Sequence, residues 1–252
     1  MISIIIPVLN ESDTIGHLIK HLKASSTSTN ITEIIIVDGG STDGTQELIR
    51  PLTCLKPERS ADYKTDAEIN SDLENPSKLL LMDSPKGRAK QLNKGAKVAN
   101  GSILYFLHAD SFPPQGFDQL IINEVQKGNK AGCFRMQFNS NHWWLRLASW
   151  LTQFSWRACR GGDQSQFITR ELFNLIGGYD ESYLIYEDNI LINELYARRE
   201  FVVIQSKLKT SARMFQKHGV WKVQYYFWSI YVKKWFGASA DELFGYYKKH
   251  LC

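Results

Sequence analysis

Four short, almost uninterrupted apolar runs constrain this chain more than any other feature: Ile2 to Val8, Glu33 to Val37, Leu79 to Met82 and Ser102 to Leu107. Runs of this length, rich in isoleucine, suit strands buried on both faces, as in a parallel sheet covered by helices. Helix-like stretches separate them. Ser12 to Lys23 sets Ile15, Leu18, Ile19 and Leu22 on one face, and Thr45 to Arg50 and Ala89 to Ala99 follow. The alternation β-α-β-α-β-α-β predicts an α/β protein with a doubly wound, mostly parallel sheet. At 252 residues such a fold is expected to be a single domain.

Composition removes several function classes. With 43% hydrophobic residues and a net charge of +4, the chain is neither disordered nor basic enough to imply nucleic acid. Cys54, Cys133, Cys159 and Cys252 lie far apart with no CxxC pair, so a reducing, cytoplasmic setting fits better than a disulfide framework or zinc ribbon. The first apolar run has no basic flank and breaks at Pro7 and Asn10-Glu11, unlike a signal peptide. No stretch of about 18 apolar residues is available to span a bilayer. The first βα turn, Pro7-Val8-Leu9-Asn10-Glu11-Ser12, lacks the GxGxxG glycines of a dinucleotide site, and no GxxxxGK[ST] loop exists. Pro51 to Lys78, polar and broken by prolines, reads as a mobile surface excursion.

Beyond about Ala131 the pattern changes. A strand-like Cys133 to Phe138 leads into an aromatic amphipathic stretch, His142 to Arg157, then the loop Gly161-Gly162-Asp163, and then helices. A second aromatic stretch, Val220 to Phe236, is interleaved with Lys222, Lys233 and Lys234. In an open α/β sheet, ligands bind beyond the carboxyl ends of the strands. Three strand ends each deliver an acid there: Glu11, Asp38 and Asp110. Such acids repel one another unless a cation or a ligand's donors compensate. For Glu11 and Asp38, capping of the following helices is the competing reading.

Taken in order, Ile4-Ile5-Ile6-Pro7-Val8-Leu9-Asn10-Glu11, Ile36-Val37-Asp38-Gly39-Gly40-Ser41-Thr42-Asp43-Gly44-Thr45, Gly87-Arg88-Ala89-Lys90-Gln91-Leu92-Asn93-Lys94-Gly95-Ala96, His108-Ala109-Asp110, Gly162-Asp163-Gln164, Gly177-Gly178-Tyr179-Asp180-Glu181 and Glu187-Asp188 resemble the signatures of family 2 glycosyltransferases with the GT-A fold. The resemblance runs from about Ile2 to Gly219 and is nearest to the bacterial arsenosugar-biosynthesis-type glycosyltransferases. It implies a nucleotide-sugar-binding half over 1–110, an acceptor and catalytic half over 111–218 and a helical tail over 219–252. It also implies an inverting, metal-dependent transfer from a nucleoside-diphosphate sugar, uridine-linked by family habit, to a hydroxyl acceptor.

Residue by residue, the resemblance makes Asp188 the general base, with Glu187 beside it and Asp163 reaching the acceptor. Pro7, Leu9, Glu11, Asp38, Gly40, Arg88, His108, Ala109, Asp110 and Arg213 would bind the nucleotide sugar, Asp38 through the base and Arg88 through phosphate oxygens. Asp110 matches the last acid of a DxD metal motif, and His108 stands where the first acid usually does, so the pair would hold Mn²⁺ or Mg²⁺. Several residues carry plainer readings. Arg88 could pair structurally with Asp83 or Asp110, His108 could be a satisfied strand-end histidine, Glu187-Asp188 could favour a helix dipole, and Asp163 could make an Asx-turn. His218, and Arg213 with it, also fit a solvated basic face.

The aromatic segments suit an interfacial helix on an anionic membrane, which would place the protein peripherally at the inner membrane face beside a lipid-linked or hydrophobic acceptor. Stripes of this kind are more often core or an oligomer interface such as a homodimer's. Two rivals to the transferase remain at this level. A sugar nucleotidyltransferase would need a glycine-rich basic loop after the first strand, which Pro7 to Ser12 lacks. A silent nucleotide-sugar-binding or membrane-associated protein would have no use for Glu187-Asp188.

Overall fold

The computed structural model describes residues 1–53, 78–161 and 164–251. The expected 51–78 excursion falls almost wholly outside the described residues, as does Asp163.

The first half follows the expected alternation: β1 (Ile2–Val8), α1 (Ser12–Ser25), β2 (Ile31–Asp38), α2 (Thr45–Ile49), β3 (Lys78–Asp83), α3 (Arg88–Val98) and β4 (Ile103–Phe106). The second half adds β5 (Ser111–Phe112), α4 (Phe117–Gln126), β6 (Ala131–Phe138), α5 (Trp143–Leu151), β7 (Gln166–Thr169), α6 (Arg170–Ile176), α7 (Glu187–Ala197), β8 (Val202–Thr210), α8 (Arg213–His218), α9 (Val220–Trp235) and α10 (Ala240–Leu251). All eight strands among the described residues join one sheet in the order β3-β2-β1-β4-β7-β6-β8-β5. β3, β2, β1 and β4 run parallel, β7 is antiparallel to both β4 and β6, and β8 lies parallel to β6.

Strand alternation splits the core into two layers. Ile2, Ile4, Ile6 and Val8 of β1 point toward Ile15, Leu18 and Leu22 of α1 and Phe117 and Ile121 of α4. Ile5, with Ile35 and Val37 of β2, points the other way, toward Ala89, Leu92 and Ala96 of α3 and Leu191 and Leu195 of α7. Each fully buried isoleucine contributes roughly 1.5–3 kcal/mol relative to exposure. Helices on both faces make the sheet doubly wound. α3 lies flush on it because residue 95 is glycine: a Cβ there would meet Ile5 Cγ2 at 2.5 Å.

Two sequence expectations are corrected. After residue 163 the chain does not run on as helices alone, since β7 and β8 complete the sheet. Nor are the aromatic stretches chiefly core. Leu145, Val223 and Ile230 are buried, while Trp143, Trp150, Trp221, Trp228 and Trp235 are exposed.

Candidate active site

The loops after β1 and β2 are sewn together by their polar side chains. Asn10 N–H donates to Ser41 Oγ at 2.9 Å and Thr42 N–H donates back to Asn10 Oδ1 at 2.9 Å. Glu11 N–H reaches Thr45 Oγ1 at 3.0 Å, and Ser12 N–H reaches Asp43 Oδ2 at 3.0 Å. Asp38, fully buried, accepts from Gly40 N–H (3.0 Å), Ser41 N–H (2.9 Å), Gln46 Nε2 (2.7 Å) and the Ser41 hydroxyl. Burial pushes this carboxyl up, but the bonds from Ser41, Gln46 and Gly40 outweigh it and hold it below the ordinary aspartate value. Three of these bonds fall on Oδ2 and one on Oδ1, so Asp38 organises the loop after β2 and keeps acceptor capacity on Oδ1. Gly40, at φ 94°, belongs to the same turn, and neither residue lines the cavity described next.

That cavity, of ≈ 520 Å³, opens beyond the carboxyl ends of β1 and β4. Pro7, Leu9, Glu11, Arg88, His108, Ala109, Asp110 and Arg213 all line it, as the sequence reading expects. Glu11 occupies the N-cap position of α1, yet its side chain caps no backbone N–H. Instead it grips the Arg213 guanidinium with both oxygens, Nη1 at 2.9 Å, and Arg213 Nε stands 3.6 Å from Asp110 Oδ2. Arg213 is thus the cation that reconciles the strand-end acids of β1 and β4. His218 is outside the lining.

Arg88 does not pair with Asp83 or Asp110. Its guanidinium bonds Glu187, stands 3.4 Å from Asp188 Oδ2, and places Nη1 3.3 Å from His108 Nδ1. Gly87 precedes it at φ 139°, a conformation costly for any residue with a Cβ, and so α3 starts with Arg88 in place. Glu187 and Asp188 are both buried in the first turn of α7. Burial raises both carboxyls above their usual range, and Arg88 opposes the shift. Tyr186, at φ 72°, is a left-handed non-glycine residue immediately before them, a strained position of the kind that clusters at functional sites.

The Gly87-to-Ala96 motif also ties the strand ends together. Gln91 Nε2 donates to Val8 O at 2.9 Å and Val37 O at 2.8 Å. Asn93 clasps Tyr179 from both sides, accepting from its N–H and donating to its carbonyl, each at 2.9 Å.

A wider groove of ≈ 1020 Å³ adjoins the first and shares Arg88, Met214, Phe215 and Phe227 with it. Asp188 lines this groove together with Tyr186, Trp228, Tyr231 and Trp235. Sequence reasoning missed Tyr186, Met214, Phe215, Phe227 and Tyr231, whose only signal was their place beside Glu187, Arg213 and the aromatic stretch. Among the described residues no three His, Cys, Asp or Glu side chains converge on one point. A cation held chiefly by diphosphate oxygens needs only one or two protein ligands, and Asp110 and His108 both line the cavity.

A doubly wound sheet with a nucleotide-sized cavity at its strand ends and a buried acid pair beside it defines a GT-A glycosyltransferase fold. Solved structures agree: S. aureus TarS in complex with UDP superposes at TM-score 0.60 (15% identity, 84% of this chain, 60% of that chain). The mannosyltransferase PcManGT from Pyrobaculum calidifontis, in complex with GDP-Man and Mn²⁺, superposes at 0.59 (16% identity, 89% and 60%). Residues 3–180 match the family model described as glycosyl transferase family 2, and the chain belongs to that family.

Curated relatives include the succinoglycan biosynthesis protein ExoA of Rhizobium meliloti, 26% identical over 205 residues (73% of this chain, 54% of that protein). Glycosyltransferase AglE of Haloferax volcanii is 31% identical over 114 residues (45% and 32%). The undecaprenyl-phosphate 4-deoxy-4-formamido-L-arabinose transferase of Aeromonas hydrophila is 25% identical over 170 residues (66% and 46%). The chain spans about a third to a half of the length of these relatives. They support the family and not the arsenosugar subgroup.

Proposed function

We propose that the protein is an inverting glycosyltransferase that moves a sugar from a nucleoside-diphosphate donor, uridine-linked by the family resemblance, to a hydroxyl acceptor. One observation carries the reading: the cavity and the groove meet at Arg88, whose guanidinium contacts the buried Glu187–Asp188 pair. The donor occupies the first space and the acceptor the second. The acceptor oxygen attacks the anomeric carbon, its proton passes to Asp188 Oδ, and the bond to the diphosphate breaks with the electron pair leaving on phosphate oxygen. Glu187 holds Arg88 in place, and Arg88 and Arg213 supply positive charge toward the departing diphosphate. Asp110 and His108 would hold Mn²⁺ or Mg²⁺, which when bound offsets charge on that diphosphate. By the family resemblance Asp163 would contact the acceptor, and it is the next candidate base after Asp188.

Structural neighbours in complex with UDP, UDP-GlcNAc or GDP-Man support a nucleotide-sugar donor. The test is Asp188→Asn. Transfer is expected to fall by roughly 10²–10⁴-fold while donor binding persists, because only the proton acceptor is lost. Donor binding is read as a thermal shift with UDP, GDP, CDP and dTDP, each with and without Mn²⁺. Turnover retained in this variant moves the base elsewhere, and no shift with any diphosphate overturns the transferase reading.

A further inference from the structure

α9 carries two apolar faces. One, through Val223 and Ile230, is buried in the protein. The opposite one is a continuous exposed stripe: Trp221 (52% exposed), Tyr225 (61%), Trp228 (49%), Val232 (50%) and Trp235 (85%), with Phe236 (83%) at its end. Their spacing of four, three, four and three residues puts them on a single side of a helix. α5 repeats the device with Trp143, Leu147 and Trp150, all exposed at spacings of four and three. The two stripes join where Trp143 and Trp221 pack at a ring separation of 5.8 Å and Trp144 meets Trp221 at 5.5 Å. A monomer in water rarely shows so large an apolar patch without a partner for it.

Charge identifies the partner. No aspartate or glutamate occurs from Val125 to Gly162 or from Phe201 to Ala240, while these two stretches hold thirteen lysines and arginines. The rest of the chain has more acids than bases. Some of these cations are committed, Arg160 by burial and Arg213 to Glu11, while Arg146, Lys217 and Lys222 are exposed, as is Lys233, whose ammonium lies 4.8 Å from the centroid of the Tyr246 ring with Glu242 nearby. Arg146 flanks the α5 stripe, and Lys222 and Lys233 flank the α9 stripe, where long stems can lie along apolar surface with the charge at its rim. A second copy of the chain would bring a like-charged face against this one, since a two-fold interface opposes a patch to itself. No helix among the described residues is long and apolar enough to cross a membrane. An aromatic stripe rimmed by lysine and lacking acids is the chemistry of a helix lying in the plane of an anionic bilayer.

We propose that the exposed aromatic faces of α5 and α9, rimmed by Arg146, Lys222 and Lys233, seat the protein on an anionic phospholipid surface. Trp228 and Trp235 belong both to this stripe and to the groove that holds Asp188, so the groove wall continues into the seated face. The seating itself needs no transferase activity, and its failure is separable from failure of the proposed reaction.

The experiment is flotation of the full chain with phosphatidylcholine vesicles, with and without phosphatidylglycerol. UDP binding and the melting temperature are read on the same samples. The protein is expected to float with mixed vesicles, to be released as salt rises, and to stay behind with phosphatidylcholine alone. Lys222→Gln and Lys233→Gln should each weaken partitioning about fivefold. Tyr225→Ser with Phe236→Ser should weaken it by roughly tenfold or more at unchanged melting temperature and UDP binding. Absence of flotation with mixed vesicles overturns the proposal, as does equal binding to neutral vesicles or wild-type binding by the serine pair. A dimer in sedimentation that the serine pair dissociates overturns it in favour of a second copy.

Discussion

The loops at the ends of β1 and β2 and the outer surface of α5 and α9 are built on opposite terms. In the loops, Asn10, Asp38, Ser41, Asp43 and Thr45 answer one another's hydrogen-bonding needs within the chain. On the helices, Trp150, Tyr225 and Trp235 leave large apolar surfaces facing outward. The first region is finished by folding, and it braces Pro7, Leu9 and Glu11 at the edge of the cavity. The second packs its rings on one another, as Trp143 and Trp144 do against Trp221, and still leaves half or more of several large side chains facing outward.

Ile4→Ala, beneath the finished region, should cost roughly 2–5 kcal/mol in chemical denaturation, because it empties a fully buried site between β1 and α1. A loss below about 1 kcal/mol would show that the sheet relaxes around the void and that the loops above it are less rigid than their bonding suggests.

Arg88→Ala tests the join between the two regions. Glu187 would be left buried without its counter-charge, which costs about 3–5 kcal/mol in a fully buried pair and roughly 2–3 kcal/mol here, since Arg88 is a third exposed. The pH dependence has a definite sign. Burial already raises Asp188, so transfer by the wild type should be lost, as pH falls, above the usual aspartate range. Without Arg88 the carboxyls rise further and that acid limb moves to higher pH. A carboxyl whose folded pKa is raised lowers stability as pH climbs through the shifted value. The stability deficit of the variant should therefore shrink on acidification. An acid limb unmoved by the substitution would remove Asp188 as the base that sets it.

Trp150→Ala, on the open region, should cost no more than about 1.5 kcal/mol, since the side chain is half exposed and its ring meets Phe154 edge-on. A loss above about 2 kcal/mol by the same denaturation measurement would mean that the stripe is packed in solution and would erase the contrast.

Legibility follows the same division. β1 was readable to the residue, Ile2 to Val8, and α1 to within two residues, because period and run length are local properties. Pro7, Glu11, Arg88, His108 and Asp110 could be placed at one edge because strand ends converge in this topology. What failed was pairing across long separations. Arg88 was expected at phosphate oxygens, with Asp83 or Asp110 as the competing partners, and it meets Glu187, ninety-nine residues away, which no local spacing encodes. The bonds that Asp38 accepts from its own loop were equally invisible, because a strand-end acid looks the same in sequence whether its oxygens face a ligand or its own loop. β8 was missed although Leu208 and Thr210 alternate with exposed Lys207 and Lys209, a period-two signal that the surrounding helical patterns obscured.

The salt bridge between Glu11 and Arg213 closes a loop of two hundred and two residues. A ribosome releases the N-terminal sheet strands long before it reaches α8, and domains begin to fold in that order. Until Arg213 emerges, Glu11 and Asp110 sit near each other with no counter-charge from this arm. The wall of the cavity is therefore completed two hundred and two residues after Glu11 is made, and a nascent chain that already has its first four strands and three helices still lacks a closed cavity.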